Sequence, residues 1–374
     1  MVAYMLAFSR SILGDGVLGI RFFPLIVSLL VPFLFVRALE DKSAGILYAI
    51  FWASPILQIV LFFMTPDVPF LLFSSLFLYY YIKKRSPDLI GGILLGLALL
   101  SKYMAFLLYP ALFFDIKRRD IKRFILFFIL VPFIIFLPVI IFNILHGFVS
   151  FKYQFAHGTG GFNIRPRYFI KYLVDILIAS GIPLSIYGMF GLLKRKWDKN
   201  KITLLTGWVF FLFFLFFSFF SRIEANWPIL FYPPLLYAGY RFIEGFKYRG
   251  HIICMYFLLS LPLKPILLIP QIKYRVFKKE IAMKDIARRL KDAKLPVFAN
   301  TYQHASLLSY YLKRYVPSLN IKSRHNQFDL WKKTYPHEDF IFVGIGYKDV
   351  MSHFYVDSTL YKRDNISVYK VRFK

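Results

Sequence analysis

A few polar residues stand out because they interrupt sequence that is otherwise apolar. Asp67 follows a long apolar run, in Thr65-Pro66-Asp67-Val68-Pro69. A carboxylate at membrane depth or at its rim is costly to bury. Two readings stand for it. Asp67 opens and caps the next helix, with Pro69 just inside, or it points its carboxylate into a cavity. Lys102 lies between apolar residues in Leu100-Ser101-Lys102-Tyr103. It is either a lysine snorkelling its ammonium to the surface or a cation for a lipid-linked phosphate. Arg165, Arg167 and Arg222 carry guanidinium groups, which grip phosphate oxygens with two parallel hydrogen bonds. Taken singly, Arg165 and Arg167 read as ordinary loop charges.

The segment Ser221-Arg222-Ile223-Glu224-Ala225-Asn226-Trp227-Pro228 packs more chemistry into less chain. A carboxylate (Glu224), an amide (Asn226) and an aromatic ring (Trp227) can hydrogen-bond to a sugar and stack on it. The plainer reading of Trp227 is an interface-belt tryptophan. His146 begins a polar, aromatic loop that runs to Arg167. His146 and His157 lack the helical spacing of a metal pair. The single cysteine, Cys254, leaves no intrachain disulfide and no cysteine metal site. Gly344 and Gly346 follow a strand-like run but lack the further glycine of a dinucleotide turn.

These residues need elements to hold them, and the apolar runs supply those. They are Phe22–Val36, Ala44–Phe63, Val68–Ile82, Leu89–Phe114, Phe124–Asn143, Tyr168–Leu193, Ile202–Phe220, Ile229–Phe242 and Ile252–Ile269. Most approach the length that crosses a hydrocarbon core of about 30 Å. Leu89–Phe114 meets basic residues at both ends, so it reads as a hairpin of two short helices with Lys102 near the tip. Basic clusters follow Val36, Ile82, Phe114, Leu193 and Phe242. Threading the runs in order puts all of them on one side, the cytoplasmic side by the positive-inside rule. Asp67, the His146–Arg167 loop, the Arg222–Trp227 loop and everything after Gln271 then lie on the other.

The composition agrees. Of 374 residues, 58% are hydrophobic and 20% aromatic, and the mean hydropathy is +0.55. A soluble domain usually holds roughly 45–50% apolar residues. The net charge of +28 would suggest nucleic acid in a soluble chain. Here the positive charges sit in short clusters between apolar runs, which excludes that reading. The first residues lack a basic region and cleavage site of a secretory signal.

The tail from about Lys273 changes character. Ile281–Leu290 has a helical amphipathic pattern. Pro296–Ala299 and Phe340–Val343 read as short buried strands. Thr301–Lys313 reads as a helix between them, capped by Thr301. Tyr369–Phe373 alternates like a last strand, with Tyr369, Val371 and Phe373 on one face. That order suggests a small α/β domain.

Several of these segments together resemble bacterial glycosyltransferase family 39 and aminoarabinose-transferase-like proteins. Ser221–Pro228 is similar to their RxExNWP segment, and Thr65–Pro69 to their second acidic motif. Leu100–Tyr103 and Asn143-Ile144-Leu145-His146-Gly147-Phe148 also fit, and Ser323–Trp331 resembles a segment of their outer domain. The resemblance implies a GT-C fold: a mainly α, polytopic membrane bundle over residues 1–271, with about ten membrane-embedded helices. A soluble extracytoplasmic α/β domain would occupy residues 272–374. It implies an inverting glycosyltransferase of the cytoplasmic membrane. The donor is a polyprenyl-phosphate sugar, the acceptor a lipid, glycan or protein, and a divalent metal is an open option. Asp67 and Glu224 would be the catalytic carboxylates. Lys102, Arg222, Arg165 and His146 would contact substrate, the first two at phosphate, while Glu224, Asn226 and Trp227 line the sugar site. Family members carry a first helix and an outer loop with an acidic motif. Met1–Leu13 resembles the amphipathic helix that follows that loop. Two alternatives remain: a transporter or flippase of a lipid-linked sugar, and a non-catalytic homologue.

Overall fold

Long runs of Leu, Ile, Phe and Val fold as helices because each helix satisfies its own backbone hydrogen bonds, as an apolar environment demands. A computed structural model describes residues 1–159, 163–194, 201–261, 269–319, 339–345, 354–363 and 365–373. The chain divides into two compact units, Met1–Lys264 and Pro265–Lys374. The sequence reading placed that division after Gln271.

The first unit is helical. Val17–Leu39 and Arg118–Leu145 are each long and apolar enough to cross a membrane. The second of these contains a π-helical segment, Phe124–Leu130. Shorter apolar helices are Val2–Leu13, Ala44–Ala53, Leu89–Ser101, Tyr103–Asp115 and Lys201–Phe217. The interruption expected at Lys102 within Leu89–Phe114 is present, but Leu89–Ser101 and Leu108–Asp115 do not pack on each other as the expected hairpin would: the first lies on Asp67–Lys84, the second on Lys201–Phe217. Leu89–Ser101 ends at Lys102, whose extended backbone (φ −156°, ψ 130°) leads into Tyr103–Leu107.

Tyr168–Leu193, read as one span, is two helices. Pro166–Ser180 and Ile182–Lys194 meet at an angle of 112°. Gly181 makes the break, with φ at +98°, a conformation that a side chain would resist. Ile182–Lys194 then packs against Tyr232–Phe242 at backbone contact. A Cβ on Gly188 would stand 2.3 Å from the Leu235 carbonyl oxygen, and one on Gly239 2.2 Å from that of Leu184.

Basic segments gather at one end of the bundle. Lys83 pairs with Glu40, Arg123 donates to Ser86 Oγ at 3.2 Å, and Lys201 donates to the Phe114 carbonyl at 3.0 Å. Arg241 lies 3.6 Å from Asp41, whose carboxylate also accepts from the Tyr237 hydroxyl at 3.0 Å. Asp67, Lys102 and Asn226 meet at another place, described below.

The second unit is an α/β layer. Its sheet has the order β1 (Val297–Ala299), β2 (Phe340–Ile345), β4 (Ile366–Phe373), β3 (Phe354–Arg363). β1 and β2 run parallel, and the other pairs are antiparallel. Val297, Ala299, Ile341, Val343, Ile366 and Val368 pack with Ala282, Met283, Ile286 and Leu308 from helices Lys278–Arg289 and Tyr302–Leu312. Phe298, Phe340, Phe342, Phe354, Tyr369 and Val371 form a second buried cluster. The two sets alternate along each strand, as period-two geometry requires. Thr301 caps its helix as expected, its hydroxyl accepting from the His304 amide at 3.4 Å. Strand β3 was not anticipated. Ser323–Trp331 and Gly346 lie outside the described residues.

Candidate functional site

Asp67 is the first residue of helix Asp67–Lys84 and is buried, at 5% exposure. Its position at the helix start is the one expected, but its carboxylate makes no cap. One oxygen, Oδ1, accepts from Lys102 Nζ at 2.5 Å. The other, Oδ2, accepts from Asn226 Nδ2 at 2.9 Å and lies 3.5 Å from the Thr65 hydroxyl. Three segments of the chain therefore converge on one carboxylate, the farthest separated from it by 159 positions.

Local structure explains how each arrives. Helix Leu89–Ser101 packs along Asp67–Lys84 and stops at Ser101, so Lys102 is presented at the end of that packed pair. Lys102 does not snorkel outward: its side chain is only 16% exposed and that of Asp67 is 7% exposed. Asn226 sits in a turn closed by the Trp227 amide donating to the Glu224 carbonyl at 2.9 Å. That turn is anchored from both sides. Tyr232, fully buried, donates its hydroxyl to the Ala225 carbonyl at 2.6 Å, and Ile223 is 3% exposed. Trp227 packs its ring 5.8 Å from Phe214, among the core residues.

The remaining candidates surround this centre or stand apart from it. Glu224 and Arg222 are exposed and paired with each other, Nε to Oε1 at 3.2 Å. They share a loop with Asn226 but direct their charges to solvent. Arg165 joins the turn that follows helix Lys201–Phe217: its amide donates to the Phe219 carbonyl at 2.6 Å. Its guanidinium lies 5.7 Å from the Tyr168 ring centroid, and Arg167 lies 4.9 Å from the same ring. Backbone pairing thus puts the Arg165 loop beside the segment leading to Arg222.

His146 is exposed, stacked on Phe142 at 4.1 Å, with Nδ1 2.8 Å from the Phe142 carbonyl. No contact between His146 and the Asp67 cluster is present among the described residues. His157 falls in helix Val149–Thr159. Among the described residues no three His, Cys, Asp or Glu side chains converge on a common point.

Two residues of the quoted motifs do more than expected. Thr65 reaches the cluster itself. Asn143, fully buried, accepts from the amides of Ser150 and Phe151 at 3.1 and 3.4 Å. It caps helix Val149–Thr159 across the turn at Gly147 and Phe148, which have φ of +65° and +60°. That fixes Phe151, whose ring lies 5.5 Å from Tyr103, the neighbour of Lys102. A hydroxyl two positions before an isolated aspartate, and an asparagine ending an apolar run, are the sequence signals for these roles.

Electrostatically, the cluster holds one carboxylate against one ammonium in a poorly hydrated place. An amide and a hydroxyl complete the coordination. Such an arrangement fixes the lysine geometrically and leaves its remaining N–H groups for another acceptor, since an ammonium has three donors.

A family described as dolichyl-phosphate-mannose-protein mannosyltransferase matches residues 1–142, the stretch that contains Asp67 and Lys102. No curated protein matches the chain in sequence. Two solved structures share its fold, both of ArnT from Cupriavidus metallidurans. The one bound to undecaprenyl phosphate superimposes with a TM-score of 0.69 at 12% identity, covering 99% of this chain and 87% of that one. The apo form gives 0.68 at 12% identity, with 99% and 86% covered. The chain thus has the fold of ArnT, and the family match over residues 1–142 agrees with the resemblance read from the short motifs.

Proposed function

We propose that this chain is a multi-pass glycosyltransferase of the cytoplasmic membrane. It takes a sugar from a polyprenyl-phosphate donor and transfers it to an acceptor at the outer face, where the C-terminal unit also lies. The observation that carries this reading is the buried Asp67–Lys102–Asn226 cluster in a chain with the fold of ArnT, one structure of which is bound to undecaprenyl phosphate. Basic segments at one end of the bundle support the orientation, because loops rich in Lys and Arg stay cytoplasmic.

On this reading the acceptor oxygen attacks the anomeric carbon while the bond from that carbon to the phosphate oxygen breaks. The departing electron pair stays on the phosphate. Its charge needs cations held ready before the reaction, because preorganised charge costs no reorganisation at that moment. Lys102 is such a cation, and Arg222 and Arg165 stand on adjoining exposed loops. Asp67 receives bonds from Lys102, Asn226 and Thr65, so its work is to hold Lys102 and Asn226 rather than to take a proton. Glu224, exposed in the same loop as Asn226, is the carboxylate free to accept the acceptor's proton once Arg222 turns to phosphate. Trp227 and Asn226 border the sugar.

The test is transfer by the full chain in liposomes, supplied with polyprenyl-phosphate sugars and with lipid, glycan and peptide acceptors. Wild type forms a covalent product. Asp67→Asn and Lys102→Ala abolish it while inserting normally. Near-normal transfer by both variants, or sugar flux across the liposome without product, overturns the proposal.

A further inference from the structure

Arg21 belongs to none of the motifs above. It lies in the first turns of helix Val17–Leu39, a place where an ionised group is expensive unless it is well used. Its Nη1 donates to the Phe62 carbonyl. The guanidinium carbon stands 3.8 Å from the centroid of the Phe62 ring and 5.2 Å from that of Phe63. Those rings meet edge to face at 5.1 Å. One side chain thus holds a carbonyl and two aromatic rings of a segment 41 positions away.

That segment is the turn between helix Pro55–Val60 and Asp67. The Phe62 carbonyl lies past the end of the short helix, where carbonyls lack intrahelical partners. From there a continuous set of hydrogen bonds leads onward. The Phe63 carbonyl accepts from the Thr65 amide at 2.9 Å, and the Thr65 carbonyl accepts from the Val68 amide at 3.1 Å. The Thr65 hydroxyl lies 3.5 Å from Asp67 Oδ2. A displaced Phe62 moves this turn, and the turn sets where Asp67 begins its helix.

We infer that Arg21 is a positioning residue: it pins the Phe62–Thr65 turn and so holds Asp67 in register with Lys102 and Asn226. The inference rests on the proposed role of that cluster at the donor phosphate. A planar guanidinium suits the task because it donates in its plane and stacks on its faces, which an ammonium cannot do together. A simple cap on the end of helix Pro55–Val60 would stabilise the fold without touching ligand affinity.

The experiment measures undecaprenyl phosphate binding by the full chain in nanodiscs, per folded molecule, with the thermal midpoint recorded alongside. The variants are Arg21→Ala, Arg21→Lys, Lys102→Gln and the Arg21→Ala/Lys102→Gln pair. Arg21→Ala is expected to weaken binding about tenfold, well short of the ~100-fold that a 1 Å misplacement can cost. Arg21→Lys falls between that and wild type. The double variant binds no more weakly than Lys102→Gln, because both changes act through one cluster. Wild-type affinity in Arg21→Ala beside a weakened Lys102→Gln overturns the positioning role alone, as do losses that multiply in the double variant. Wild-type affinity in Lys102→Gln overturns the phosphate assignment itself.

Discussion

Replacing Lys102 by Met strands the Asp67 carboxylate, and the structure sets the size of the effect. The pair meets at 2.5 Å with side chains 16% and 7% exposed, so solvent does little to screen it. Breaking a buried pair by removing one partner costs about 3–5 kcal/mol, because the survivor is an uncompensated charge. Asp67 keeps the Asn226 bond at 2.9 Å and the longer Thr65 contact at 3.5 Å. These hold the expected loss near the lower bound, about 3 kcal/mol. Changing Asp67→Asn in the same chain removes the charge altogether and brings the double variant within about 1 kcal/mol of wild type. The cycle of single and double variants then shows a coupling of at least about 2 kcal/mol. Unfolding of the full chain by SDS in mixed micelles, followed by tryptophan fluorescence, reads all four stabilities. A Lys102→Met loss under about 0.5 kcal/mol, or additive effects, refutes the argument that this pair is buried and mutually dependent.

Other expectations concern the elements that carry the site. Gly239→Ala places a Cβ 2.2 Å from the Leu184 carbonyl oxygen, forcing two helix backbones apart. A lower thermal midpoint, equivalent to about 1–3 kcal/mol, checks it, and an unchanged midpoint contradicts it. Asn143→Ala leaves the Ser150 and Phe151 amides without their acceptor. Hydrogen exchange should rise at the start of helix Val149–Thr159, by about 1 kcal/mol of lost protection, with Val17–Leu39 unaffected. His304 is buried, and burial first, then the charge of Lys279, holds its imidazole below the ordinary 6.5. An unfolded histidine takes up a proton there that the folded one refuses. The contribution of His304 to the second unit's stability is therefore present above pH 6.5 and is lost as pH falls below that value. Exchange protection of Val297–Ala299 and Tyr302–Leu312 should drop on acidification in wild type and less in His304→Gln; equal profiles would contradict the assignment.

What the sequence showed and what it hid follow from the range of the interactions. Thr301 as a cap, the helix after it and strands β1, β2 and β4 are local patterns, and they were legible. So was the interruption at Lys102, because a lone lysine between leucines and aromatics has few other places to be. The break at Gly181 was hidden. Glycine inside an apolar run is compatible with a continuous helix, and only the close approach of Tyr256, 2.4 Å from the Cβ that Gly181 lacks, shows why it bends. Strand β3 was hidden because Phe354–Arg363 is an edge strand. Its register shifts between Val356 and Ser358 and again between Thr359 and Tyr361, which spoils strict alternation. At the site, the residue types were readable and the partnerships were not. Asp67 was weighed as a helix cap and Lys102 as a snorkelling side chain. Each reading concerned one residue and its neighbours. The bond that decides both runs between them, and the third partner, Asn226, comes from a loop that no local pattern links to either.

On the proposed reading the Asp67–Lys102–Asn226 cluster receives the phosphate of a polyprenyl donor. A structure of the full chain in nanodiscs with undecaprenyl phosphate tests it most directly. A phosphate oxygen is expected within about 3 Å of Lys102 Nζ, with the Asp67–Lys102 contact retained and the isoprenoid chain running along the helices beside it. A phosphate bound at the basic end, near Arg85 or Arg241, with the cluster untouched, would contradict it.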